Sequence, residues 1–241
     1  MPSLSPKKRL IFALDVPTLK EAAAYARLLK DHAGVFKIGL ELFTACGPKA
    51  VSAIKKAAPS SGIFLDLKFH DIPATIKGAV NSAASLGADF LTVHMDEGFD
   101  AGMAMEAGNR GLKVLAVTVL TSLSKDALVG TKYAGITELV LHRARLARVS
   151  GCAGVVCSGS EVKAVKDEFG PDFLVITPGI RSSSDALGDQ KRTVTAYEAV
   201  YYGADYIVVG RPIRNAPDPV KAAKEIAEEV KKALKDRGPI L

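Results

Sequence analysis

Eight short apolar runs recur along the chain, each followed by a stretch with helical spacing, and no other feature constrains the fold so tightly. The runs are Leu10–Val16, Val35–Gly39, Ile63–Phe69, Phe90–Met95, Lys113–Leu120, Ala153–Ser158, Phe173–Thr177 and Tyr206–Gly210. Short apolar runs of this kind fit parallel strands that are covered on both faces. Between them Ala, Leu, Lys and Glu return at helical periodicity, as in Leu19–Lys30 and Val220–Lys235. No composition break or Gly/Ser-rich linker interrupts the 241 residues. The pattern predicts an α/β fold, a single (β/α)8 or TIM barrel occupying residues 1–241. An open doubly wound sheet is the alternative, and it needs fewer strands.

The charge balance is 32 Lys and Arg against 26 Asp and Glu, a net charge of +6. The basic residues are scattered, apart from short runs at Lys7–Arg9 and Lys231–Lys235 near the ends. Aromatics make up 6% of the chain and Trp is absent, so the stacking platforms and basic stripe of a nucleic-acid binder are missing. A mildly basic surface suits a small anionic substrate. No stretch approaches the ~18 apolar residues of a membrane span, and the first residues carry no apolar signal core. These features predict a cytoplasmic protein with no membrane or nucleic-acid partner. Cys46, Cys152 and Cys157 form neither a metal-ligand spacing nor an even disulfide framework and read as reduced thiols.

The third run continues into the most unusual stretch of the chain, Phe64-Leu-Asp66-Leu-Lys68-Phe-His70-Asp71-Ile-Pro73. Side chains alternate along a strand, so Asp66 and Lys68 share one face while Leu65, Leu67 and Phe69 take the other. Charges on the inner face of a buried strand are rare unless they are paired or used. Pro73 fits the first turn of a following helix. In a barrel the chemistry lies at the C-terminal ends of the strands, where Asp15, Lys37, Asp66, Lys68, Thr121, Arg181 and Arg211 would converge. The set Lys37, Asp66, Lys68 and Asp71 would keep its members ionised, because each opposite charge favours the charged form. A protonated Lys68 can then stabilise and protonate a carbanion, while Asp66 repels a substrate carboxylate. A purely structural salt-bridge cluster is the competing explanation, and buried ion pairs are poor stabilisers.

Thr177-Pro178-Gly179 and Arg181 after the seventh run, with Gly210-Arg211 after the eighth, suit a phosphate: glycine admits backbone N–H groups and arginine adds a bidentate fork. Two connections, Thr121–Gly135 and Ile180–Arg192, exceed a helix plus turn, and the second, polar and rich in small residues, fits a lid or binding loop and a disordered surface excursion equally by length. His70 and His94 read as hydrogen-bonded core or supporting histidines, since no His, Cys or Glu spacing matches a metal site.

The segment Asp66-Leu-Lys68-Phe-His-Asp71-Ile-Pro73 resembles the DxKxxDIP signature of the orotidine 5′-phosphate decarboxylase family. The resemblance extends over nearly the whole chain, through Phe12-Ala-Leu-Asp15, Phe36-Lys37-Ile-Gly39, Thr92-Val-His94, Val119-Leu-Thr121, Thr177-Pro-Gly-Ile-Arg181, Gly188-Asp-Gln190 and Gly210-Arg-Pro-Ile213, in the order of the bacterial branch. Two departures are Ala74, where many relatives have Asn, and Ser182, where Pro often follows the loop arginine. The resemblance implies decarboxylation of orotidine 5′-phosphate to uridine 5′-phosphate without metal or cofactor. It implies that Asp15 and Lys37 hold the ribose hydroxyls, that Asp66 presses on the carboxylate and that Lys68 delivers the proton. It further implies a homodimer with shared sites, Asp71, Ile72 and Thr75 reaching the neighbouring subunit. Thr121 would contact the pyrimidine, and Pro178, Arg181, Gln190, Gly210 and Arg211 the phosphate, with the Ile180–Arg192 loop closing over it. The rival enzyme reading is a Mg²⁺-dependent 3-keto-gulonate-phosphate-type decarboxylase on the same barrel, which has an acidic residue where Lys37 stands. A non-catalytic phosphate sensor is the third reading, and it would need no proton donor.

Overall fold

The computed structural model describes residues 4–95, 104, 107–120, 133–181 and 193–238. Its strands are β1 (Leu10–Ala13), β2 (Val35–Gly39), β3 (Gly62–Phe69), β4 (Phe90–His94), β5 (Lys113–Val117), β6 (Gly154–Val156), β7 (Leu174–Thr177) and β8 (Tyr206–Val209). All eight pair in parallel with their sequence neighbours, and β1 also pairs with β8, which closes the sheet into a barrel. The expected barrel is therefore what forms. The runs expected over Leu10–Val16 and Lys113–Leu120 stop pairing as strands at Ala13 and Val117, and residues beyond them line the mouth instead.

The described helices are α1 (Leu19–Leu29), α2 (Leu40–Cys46), α3 (Lys49–Ala57), α4 (Pro73–Ser85), α5 (Ile136–Val149), α6 (Val162–Phe169), α7 (Ala196–Tyr201), α8 (Arg211–Arg214) and α9 (Pro219–Arg237). Their starts follow local chemistry. Thr18 caps α1 by accepting from the Glu21 N–H at 3.3 Å, so Asp15 is left for another purpose. Thr195 and Glu198 form a reciprocal capping box on α7, and Asp218 accepts from the Lys221 N–H at the start of α9. Pro73 opens α4, as its fixed φ predicts.

Strand alternation sorts the apolar residues into two cores. Ile11, Ala13, Val35, Phe64, Phe90, Leu115, Ile176 and Val208 fill the barrel interior. The opposite parity, including Leu10, Phe12, Phe36, Ile38, Ile63, Leu65, Leu91, Val114, Val155, Val175 and Ile207, packs outward under the helices. The interior core occupies the lower part of the barrel. Above it, the next inward positions on β2, β3 and β4 are Lys37, Asp66 and Thr92, so the polar layer rests on an apolar plug. Cys152 and Cys157 are buried and Cys46 is partly buried, all three as free thiols. Burial pushes the Cys152 thiol up to about 12, which leaves it protonated and inert. Among the described residues no helix is long and apolar enough to cross a membrane.

Candidate active site

A cavity of about 540 Å³ opens at the C-terminal ends of the strands, a size that accommodates a small organic ligand. Its β1–β3 side carries Asp15, Lys37, Asp66 and Lys68, and its β7–β8 side carries Pro178, Gly179, Arg181, Gly210 and Arg211. The four charged residues of the first side form a chain of alternating sign. Lys37 Nζ donates to Asp15 Oδ1 at 3.0 Å and lies 3.5 Å from Asp66 Oδ2. Lys68 Nζ donates to Asp66 Oδ1 at 2.8 Å. Lys37 comes from inside the barrel, where its side chain is only 11% exposed, and it belongs to the wall rather than the rim. Gly39, two residues on, keeps this chain open: a Cβ there would stand 3.2 Å from both Asp15 Oδ1 and Lys37 Nζ.

Electrostatics fix the charge states of the inner pair. Burial is the largest influence on Lys37 and favours its neutral form, but the carboxylates of Asp66 and Asp15 outweigh it and hold the ammonium above the usual lysine value. Burial likewise pushes Asp66 towards protonation. The Lys37 and Lys68 charges, with hydrogen bonds from Lys68 and Thr92, overcome that and hold its carboxyl below the usual range. A carboxylate held in its ionised form at neutral pH therefore sits between the Nζ atoms of Lys37 and Lys68.

The top of β3 departs from regular pairing. Leu65 pairs with Leu91 but Phe69 pairs with Val93, so four steps on β3 match two on β4. Within this bulge Lys68 has φ of 50°, the one left-handed non-glycine backbone among the described residues. For a side-chain-bearing residue that conformation costs about 1–2 kcal/mol. Strain of this kind concentrates at functional sites, where the surroundings enforce it. Simple alternation predicts that Asp66 and Lys68 share a face. They do meet, but through a bulge that alternation cannot foresee.

Asp71 is not joined to the other three charges within the chain, contrary to the set expected from sequence. It lies beyond the bulge at the exposed entry to α4, where its Oδ1 accepts from the Ile72 N–H at 2.6 Å. Ile72, 66% exposed, and Thr75 share this outer position. His70 is exposed, so it is not a core histidine; its ring lies 5.8 Å from that of His94, edge to face. The chain has left β3 by then, since the strand ends at Phe69. Thr121, Gln190 and residues 182–192 of the long loop lie outside the described residues. The two ends of that loop are tied together: the Arg181 N–H donates to the Val194 carbonyl at 3.0 Å. Arg181 is nearly buried, and its Nη1 donates to the Ile180 carbonyl at 2.9 Å.

Glu41 and Arg214 also line the cavity, and sequence reasoning misses both. Glu41 enters from the first turn of α2, and Arg214 from α8 donates to the Asp15 carbonyl. Neither carries a sequence signal, because each is brought in by a short helix after a strand end. Thr92, which touches both Asp66 and Lys68, is a different case: its parity with the interior Phe90 is a signal that could have found it. Among the described residues no group of three or more His, Cys, Asp or Glu side chains is arranged to hold a metal ion.

Residues 8–226 match the model of the orotidine 5′-phosphate decarboxylase / HUMPS family. The chain belongs to this family. It is a carboxy-lyase, and its relatives bear this out across almost the entire length. Orotidine 5′-phosphate decarboxylase of Desulfosudis oleivorans is 47% identical over 241 residues, covering 97% of each chain. That of Anaeromyxobacter dehalogenans is 49% identical, covering 93% of this chain and 99% of the relative. The crystal structure of orotidine 5′-phosphate decarboxylase from Lactobacillus acidophilus superimposes with a TM-score of 0.74 at 35% identity, covering 92% of this chain and 98% of that one. In a decarboxylase family the charged chain at the top of β2 and β3 falls where chemistry on a small anionic substrate is expected.

Proposed function

We propose that this enzyme decarboxylates orotidine 5′-phosphate to uridine 5′-phosphate and CO₂, in pyrimidine biosynthesis, using its own side chains. The observation that carries the reading is the ionised Asp66 held between Lys37 and Lys68 on the wall of a cavity whose β7–β8 wall presents Arg181, Gly210 and Arg211. In this reading the phosphate lies against Pro178, Arg181, Gly210 and Arg211, with Gln190 contributing from the loop. Asp15 and Lys37 take the ribose hydroxyls, and Thr121 meets the pyrimidine.

The base is then oriented with its carboxylate towards Asp66. The C6–carboxylate bond breaks, CO₂ leaves, and the electron pair stays on C6. Lys68 Nζ stabilises that pair and transfers a proton to it, after which the lysine regains a proton from solvent. Repulsion by Asp66 is too weak to drive bond cleavage alone, since two carboxylates ~4 Å apart repel by about 4 kcal/mol at an effective dielectric of 20. Enzymes lower their barriers by about 8–23 kcal/mol, and by more for the slowest reactions. Stabilisation of the developing carbanion by a preplaced ammonium must supply the larger share. Binding of the distant phosphate supplies the energy to hold the base against Asp66.

The reading includes a homodimer with shared sites, in which Asp71, Ile72 and Thr75 serve the neighbouring subunit. Its support is that all three are exposed at the entry to α4, immediately beyond the residues that line the cavity. The Mg²⁺-dependent alternative is disfavoured by Lys37, whose ammonium occupies the space between the Asp15 and Asp66 carboxylates that a metal ion would need. The deciding experiment follows loss of orotidine 5′-phosphate absorbance with and without EDTA. Turnover that persists in EDTA is expected; no turnover, or activity abolished by the chelator, would refute the assignment.

A further inference from the structure

We infer that Thr92 is the positioning residue that sets the Asp66–Lys68 pair, a role that rests on the reading of Lys68 as proton donor. Thr92 sits on β4, fully buried, directly across from the bulge in β3. Its Oγ1 makes two short contacts, one with Lys68 N at 2.9 Å and one with Asp66 Oδ1 at 3.0 Å. Their directions are forced. A backbone N–H can only donate, and an ionised carboxylate can only accept, so the hydroxyl accepts from Lys68 and donates to Asp66. One hydroxyl thereby ties the main chain of the proton donor to the side chain of its neighbour.

Three independent features converge on this atom. Pairing between β3 and β4 lapses between Leu65 and Phe69, so the Lys68 N–H has no place in the regular ladder, and Thr92 supplies the acceptor that the strand does not. Lys68 is also in the left-handed region, where a side-chain-bearing residue stays only if its surroundings hold it. Finally, Asp66 Oδ1 receives both the Thr92 hydroxyl and the Lys68 ammonium, while Oδ2 faces Lys37 at 3.5 Å. Fixing Oδ1 fixes the plane of the carboxylate, and with it the direction from which Asp66 and Lys68 meet a substrate. Thr92 itself does not line the cavity, so it acts through these two residues.

The test compares Thr92→Val, which keeps the shape but lacks the hydroxyl, with Thr92→Ser, which keeps the hydroxyl. Thr92→Val should lower kcat for orotidine 5′-phosphate by about 10- to 100-fold, equivalent to ~1.4–2.7 kcal/mol of barrier. KM and the affinity for uridine 5′-phosphate should stay within about threefold, because phosphate and ribose contacts are untouched. Thr92→Ser should retain kcat within about threefold of the parent. Amide hydrogen exchange at Lys68 gives a readout independent of turnover: it should quicken at least about tenfold in Thr92→Val and remain slow in Thr92→Ser. Parental kcat in Thr92→Val, unchanged exchange at Lys68, or a serine variant as impaired as the valine one would each overturn the inference. If the parent enzyme fails to turn over orotidine 5′-phosphate, the function is refuted, while the exchange comparison still decides whether Thr92 holds the bulge.

Discussion

On the β1–β3 side of the barrel mouth, Asp15, Lys37, Asp66 and Lys68 are bound to one another before any substrate arrives. On the β7–β8 side the lining includes Pro178, Gly179, Arg181, Gly210 and Arg211, with Arg181 nearly buried and bonded to the Ile180 carbonyl. The first side is internally paired, with Lys37, Asp66 and Lys68 carried on β2 and β3 above an apolar plug and Asp15 just beyond β1. The second combines glycine backbone with two arginines, a composition suited to an anion. Under the proposed function, the work divides along this contrast. A group whose position is already fixed by its neighbours can act in the transition state, whereas a surface of donors chiefly holds what is brought to it.

Breaking the first side should cost turnover. Asp66→Asn leaves two ammonium groups without their shared carboxylate, and kcat should fall by roughly 10³-fold or more, the scale on which one member of a cooperating catalytic set acts. A steady-state assay checks this, and a variant that changed only KM would undo the division. Breaking the second side should cost binding. Arg211→Ala should raise KM for orotidine 5′-phosphate by about 10- to 100-fold, the worth of a hydrogen bond to a charged group. It should leave turnover of phosphate-free orotidine unchanged, and an equal loss with both substrates would show that Arg211 acts on the base.

The smallest effect concerns pH. The Asp66 carboxyl is held below its ordinary value, so its contribution to stability is present above about pH 4 and fades as pH falls through its lowered folded value. Lys37 is held above its ordinary value, so its contribution is present below about pH 10 and fades as pH rises through its raised folded value. The difference in thermal midpoint between the parent and Asp66→Asn should therefore stay flat from about pH 5 to 9 and shrink outside that window. A steep change near neutrality, read by calorimetry, would show that another group governs the pair.

Much of this division is legible in the sequence. The eight apolar runs mark the strands because covered parallel strands must be apolar on both faces, and Asp15, Lys37, Asp66 and Lys68 stand out as charges that interrupt them. Pro73 marks the start of α4 for a reason local to one residue. What escapes the sequence depends on three-dimensional register. The bulge at Lys68 follows from how β3 meets β4, and no local propensity predicts a lysine in the left-handed region. Parity places Thr92 inside the barrel, but only the bulge makes it a partner of Lys68. Asp71 looks like a member of the charged set by spacing, and the end of the strand carries it outward instead.

Lys68→Ala removes the proposed proton donor of the β1–β3 side and leaves the rest of the cavity in place. Orotidine 5′-phosphate loss and uridine 5′-phosphate binding are measured on the same folded preparation. Decarboxylation should fall by at least about 10⁴-fold while uridine 5′-phosphate still binds, because the β7–β8 side is intact. Near-parental turnover in that variant would contradict Lys68 as the proton donor.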